Sequence, residues 1–183
     1  MFRLLVATGL ALFFLGVNPA QAREPACKRI DYLLSPYLTQ VMRARLLVQE
    51  KFPEWYQEDT CIKIEPDNRR SIYGYVMKDP TTRELYMGLV RSALDLPTTE
   101  DLAHVLLHEY VHVALWAEER TPCRRAREEL LAYNVNIEAR SEIPSSLLLH
   151  AGFMISYRGK YMDAMEKCPA DTYEDLPYPD RPR

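Results

Sequence analysis

Leu102-Ala103-His104-Val105-Leu106-Leu107-His108-Glu109-Tyr110-Val111-His112-Val113-Ala114-Leu115-Trp116-Ala117 is an apolar run whose only ionisable members of note are three histidines and one glutamate. On a helix, at about 100° per residue, those four side chains share one arc. His108 and His112, four apart, project side by side and can both reach a single ion. Glu109 turns toward the same side, where it can hold a water. The residues just before the run supply a helix start: Thr98 as N-cap, Asp101 as its capping-box partner, and acids in the first turn. An uncompensated carboxylate in such an apolar setting costs several kcal/mol or takes up a proton, and a divalent cation removes the difficulty for the whole cluster.

Catalytic zinc normally takes three protein ligands and keeps one position for water. Directly after His112 the candidates are poor. Leu115 stands where a chain-bending glycine would be useful, Glu118 faces away from His112, and Glu119 lies about two turns on, roughly 10 Å along the axis. The next helix is a better source. Thr121-Pro122 reads as N-cap and first helical residue, opening a helix to about Arg140 with an apolar stripe at Ala126, Leu130, Tyr133 and Ile137. A short turn at Glu119-Arg120 sets it antiparallel to the first helix and brings Glu129 back toward the histidines. Glu128 points the other way, toward solvent. Helix-face geometry therefore favours Glu129 as the third ligand over Glu128. The competing reading is a solvated acidic pair beside Arg124, Arg125 and Arg127.

His108-Glu109-x-x-His112 followed by Glu129-Leu130-Leu131-Ala132 resembles the gluzincin group of zinc metallopeptidases, here as a small exported member of bacterial type. The resemblance spans about residues 84–140. It implies Zn2+ held by His108, His112 and Glu129, with Glu109 as general base toward a zinc-bound water and a peptide or protein as substrate. One position departs from the pattern: many gluzincins carry an aspartate four residues after the ligand glutamate, and this chain has Tyr133. A tyrosine hydroxyl or Asn136 is left to orient a histidine instead. His104, His150, Tyr157 and Tyr161 are the available donors to a developing oxyanion. His104 reads equally well as a satisfied core histidine, and His150 as an ordinary helix residue.

The fold expected is α+β: a mainly helical, zincin-like domain over 23–170, with a small antiparallel sheet beside the histidine helix. Arg83–Val90 is the strand expected next to that helix, with substrate pairing along its edge. Ile72–Met77 is its hairpin partner across an Asp79-Pro80-Thr81-Thr82 turn, and Cys61–Glu65 a third short strand. Ser35-Pro36 opens a helix to about Glu50 with apolar positions Leu38, Val41, Leu46 and Val48. Ser145 begins another helix to Tyr157, and Lys160–Lys167 adds a short one.

Residues 1–22 read as an export signal: Arg3, an apolar core from Leu4 to Val17, and Ala20-Gln21-Ala22 as cleavage site. That core is too short for a comfortable membrane span, so none is expected after cleavage. Losing Arg3 takes the formal charge from −3 to −4, because the leader holds no acid. This mild acidity argues against a nucleic-acid surface, and Asn68-Arg69-Arg70 and Arg124-Arg125 read as solvated faces. Cys27, Cys61, Cys123 and Cys168 lack C-x-x-C spacing and suit disulfides in a periplasmic or secreted protein. Of three possible pairings, Cys27–Cys61 and Cys123–Cys168 is preferred, since each bridge ties the ends of a helical excursion. The prolines after Tyr173 mark 171–183 as a tail. The function expected is a zinc-dependent peptidase. Its alternative is a noncatalytic exported binding or inhibitory protein with a structural metal site.

Overall fold

The computed structural model describes residues 35–65, 72–116, 118, 121–146 and 151–169. The expected leader and tail, Cys27, Asn68-Arg69-Arg70, Glu119 and His150 lie outside them. In chain order the elements are α1 (Ser35–Lys51), β1 (Cys61–Glu65), β2 (Gly74–Lys78), β3 (Leu85–Val90), α2 (Arg91–Leu94), α3 (Thr99–Ala114), α4 (Pro122–Ala139) and α5 (Ala151–Met165). The class is α+β, as expected.

Helix α3 forms the centre because it is apolar around most of its circumference. Leu102, Ala103, Leu106, Leu107, Tyr110 and Val111 are all fully buried. The helix is enclosed by α1, α4 and the sheet. Its start is as read from the sequence: the Thr98 side-chain oxygen accepts from the Asp101 backbone N–H at 3.0 Å. The Asp101 carboxylate, however, takes its hydrogen bonds from Ser145 and Ser146, each at 2.6 Å. That carboxylate therefore also holds the loop after α4.

Helix α1 packs on α3 through Val41, Ala44 and Val48, while Leu38 and Leu46 are exposed. All these residues are apolar, so composition alone leaves the phase of the helix open. Helix α5 is one helix where two were expected. It runs through Gly159, around which nothing crowds, and Ser145 and Ser146 precede it as loop residues bonded to Asp101.

The sheet has the order β1-β3-β2. Strands β2 and β3 form the expected antiparallel hairpin, with Val76 opposite Met87. Strand β1 instead lies parallel to β3, with Ile62 opposite Met87, so the sheet is mixed rather than wholly antiparallel. A five-residue strand pattern carries no direction, and the hairpin leaves two outer edges, of which β1 takes that of β3. Strand β3 is thus central, and the edge beside α3 belongs to β2. This corrects the expectation that substrate pairs with the strand spanning 83–90.

Asp79 fixes the hairpin turn by accepting from the Thr81 and Thr82 backbone N–H groups at 2.9 and 3.0 Å. It also pairs with Lys63 of β1 at 3.0 Å. Arg83 closes the turn in the left-handed region, at φ 64°. At the same end of β2, Lys78 pairs with Glu118, tying the sheet to the segment after α3.

Cys123 and Cys168 are joined, as expected, linking the start of α4 to the residue region just after α5. Cys61 is buried at the start of β1, and its expected partner lies outside the described residues. No described helix is long and apolar enough to cross a membrane.

Two outcomes follow. Replacing Cys123 and Cys168 by serine releases a link across 45 residues and should lower stability by about 2–4 kcal/mol in urea unfolding. Asp79 is pushed down to about 2 by the Thr82 N–H, the Lys63 ammonium and the Thr81 N–H. A depressed carboxyl stabilises above its ordinary value of about 4, and that contribution is lost as pH falls toward the folded value. Wild type should therefore exceed Asp79→Asn in stability at neutral pH, with the difference shrinking between pH 4 and 2 in acid-unfolding curves.

Candidate metal centre

Helix α4 starts as expected, with Thr121 capping the Arg124 N–H at 3.2 Å and Pro122 in the first turn. It lies against α3 on one side and α5 on the other. Because it buries two faces, its buried set is Ala126, Glu128, Leu131, Ala132, Val135, Asn136 and Ala139, not the single stripe expected. Ile137, counted in that stripe, is exposed. Glu128 is correspondingly not in solvent. It is fully buried and pairs with Arg124 at 3.2 Å, an i,i+4 contact. Arg124 in turn reaches the Leu115 carbonyl at the end of α3, at 3.5 Å. Arg124 is therefore part of an internal ion pair rather than of a solvated basic face.

Glu129, one residue on, meets the histidines. His108 Nε2 and His112 Nε2 are 3.2 Å apart. Glu129 Oε2 stands 3.5 Å from the first and 3.6 Å from the second. A tetrahedral ion with bonds of about 2.0–2.2 Å to nitrogen and oxygen separates its ligands by about 3.3–3.6 Å. The three atoms thus outline one face of such a tetrahedron. Burial pushes the Glu129 carboxyl up, but hydrogen bonding to His108 and His112, together with their charge, holds it well below the usual carboxylate range. An anion facing two imidazoles is the donor set that borderline cations such as Zn2+ take.

The His112 side chain is 7% exposed, against 14% for His108 and 17% for Glu129. His112 forms the floor, and the other two form an accessible rim. Among the described residues no fourth His, Cys, Asp or Glu joins them.

The aromatic surroundings come from α4 and α5. The Tyr133 ring packs edge-on against His108, with centroids 4.7 Å apart, and Tyr161 of α5 stacks on Tyr133 at 6.0 Å. Tyr133 thus stands beside a histidine at the position where the sequence pattern departs from gluzincins. Of the four candidate oxyanion donors, only Tyr161 is placed near the cluster. His104 is a core residue: its Nε2 lies 2.7 Å from the Ile143 carbonyl. Burial pushes its pKa down despite Ile143, Asn136 and Asp101, so the neutral ring donates to that carbonyl. His150 and the Tyr157 side chain lie outside the described residues.

Glu109 is buried between α3 and the sheet and faces the start of β2. An atom added at Gly74 in place of its missing Cβ would stand 2.8 Å from Glu109 Oε1. Sequence reasoning placed Gly74 inside a strand and assigned it no role, although an isolated strand glycine signals close approach of another group.

No family model matches this chain, and no curated protein or solved structure is significantly similar to it.

The purified chain should carry about one zinc, and His112→Ala and Glu129→Ala should each weaken zinc binding by more than about 100-fold, beyond what losing a supporting partner costs. Glu128→Gln should leave zinc content intact, since Glu128 serves Arg124. Metal analysis and competition with a chromogenic chelator measure all three. Zinc lost from Glu128→Gln but kept by Glu129→Ala would reverse the ligand assignment.

Proposed function

We propose that this chain is an exported zinc-dependent metallohydrolase of gluzincin type that cleaves peptides or proteins. The observation that carries the reading is the triangle of His108, His112 and Glu129 with the buried Glu109 next to it on α3. A purely structural zinc site is normally closed by four protein ligands; the described residues offer three and an accessible rim. Glu109 sharpens the distinction, because a structural site has no use for a carboxylate that receives protons.

A bound zinc ion supplies Lewis acidity, lowering the pKa of a coordinated water toward about 7 and polarising a carbonyl. The chain's own residues do the rest. Glu109, one residue after His108 and 60° around the helix from His112, receives the proton of the attacking water and delivers it to the departing amine. Tyr133 restrains the His108 ring by packing, and Tyr161, stacked on Tyr133, is the hydroxyl assigned to donate to the carbonyl oxygen. The substrate backbone pairs with the outer edge of β2, which takes no strand among the described residues and whose first residue touches Glu109. Edge pairing of this kind holds an extended chain by main-chain hydrogen bonds.

Export agrees with the Cys123–Cys168 bridge, which persists in oxidising compartments, and with the reading of residues 1–22 as a leader cleaved near Ala22.

Glu109→Gln should keep about one zinc per chain while kcat/KM on a peptide library falls by about 10²–10⁴-fold, the usual contribution of a positioned acid-base group. Phenanthroline should abolish wild-type cleavage and added zinc restore it. Cleavage by Glu109→Gln at the wild-type rate would defeat the mechanism.

A further inference from the structure

We infer that Gly74 is a positioning residue: its lack of a side chain is the space in which Glu109 is held at the metal centre. The inference rests on the reading of Glu109 as the general base.

The three atoms nearest a Cβ built at Gly74 all belong to Glu109: Oε1 at 2.8 Å, Cγ at 2.9 Å and Cδ at 3.0 Å. Real Cβ atoms essentially never approach other atoms under 3.0 Å. No described glycine has a positive φ, so the backbone at Gly74 is one that any residue adopts. The glycine is demanded by space and by nothing in the turn of the chain. The other described glycines differ. At Gly88 the intruding atoms are the Tyr75 ring, and at Gly159 there are none.

What the methyl would displace decides its effect. Strand and helix backbones are not what the methyl first meets, because the three nearest atoms are all on one unbranched side chain. The fold therefore tolerates the change. The carboxylate does not: it must retreat by roughly half an ångström or more, and it is buried, so the retreat is sideways, off its position on α3. Misplacement of a reacting group by about 1 Å costs on the order of 10²-fold in rate. Gly74 also begins the strand whose outer edge is assigned to substrate. The same absent side chain thus sets the distance between the base and the bound chain.

The test compares zinc-loaded wild type, Gly74→Ala, Glu109→Gln, Glu109→Asp and the double variant Gly74→Ala/Glu109→Asp. Gly74→Ala should keep its zinc, melt within a few degrees of wild type and retain KM within about twofold, while kcat falls about 10–100-fold. In the Glu109→Asp background, whose side chain is one methylene shorter, the added methyl should cost several-fold less. Affinity for acetohydroxamate, which chelates the metal and presents a hydroxyl to the base, reads the same geometry without turnover. It should weaken in both Gly74→Ala and Glu109→Gln.

Gly74→Ala matching wild type in kcat and hydroxamate affinity, while Glu109→Gln is impaired, would overturn the inference and leave the proposed function standing. Parallel loss of zinc, melting temperature and KM in Gly74→Ala would also overturn it, as the signature of a merely structural glycine. A wild type that binds no zinc, or a Glu109→Gln indistinguishable from it, would remove the proposed function and this inference together.

Discussion

Two imidazole nitrogens and a carboxylate oxygen converge to within 3.6 Å, with His112 nearly buried and the other two side chains partly exposed. Three electron-rich atoms this close in a medium of low dielectric require positive charge among them. Most of the chain's architecture serves that convergence. Helix α3 must be buried deeply enough to keep His112 dry, and α4 must return alongside it at the right height to deliver Glu129. The reversal is secured where it happens. Thr121 caps α4, and Arg124 bonds both to Glu128 of its own helix and to the last carbonyl region of α3. Breaking one member of such a desolvated pair leaves the other charge stranded, so this pair keeps the two helices in register.

Adjacent glutamates have thereby been given opposite tasks. Glu128 faces the helix interface and an arginine; Glu129, 100° around, faces two histidines. A shift of α4 by one residue would put Glu128 or Leu130 where Glu129 now meets the histidines. The register of a single helix is therefore a chemical variable here, and the ion pair beside it is a means of fixing that variable.

Much of this was legible before any coordinates, and the boundary of legibility is physical. The strongly periodic helix with its caps, Thr98 and Thr121, the choice of Glu129 over its neighbour, the hairpin turn at Asp79 and the Cys123–Cys168 bridge were all readable. Each is governed by residues close in sequence or by one strong chemical preference. Failures came where several partners compete for one surface. Of the four apolar positions read on α1, Val41 and Val48 are core and Leu38 and Leu46 are exposed, with Ala44 buried in addition, a choice made by α3. Glu128 looked solvated because a helix flanked on two sides has no single polar face. Asp101 was read only as part of its own helix start, and serines more than forty residues later also bond its oxygens. Strand direction for β1 was unreadable in principle, since alternation is the same from either end.

The bridge between α4 and α5 reaches further than stability. Its second cysteine lies two turns beyond Tyr161, the ring that stacks on Tyr133 and so backs His108. Heterologous production in a reducing bacterial cytosol would leave that aromatic wall held to α4 by packing and the Arg158–Asn134 hydrogen bond, without its covalent tie. The host and compartment chosen for expression thus decide whether the protein recovered has the surroundings of the centre described above.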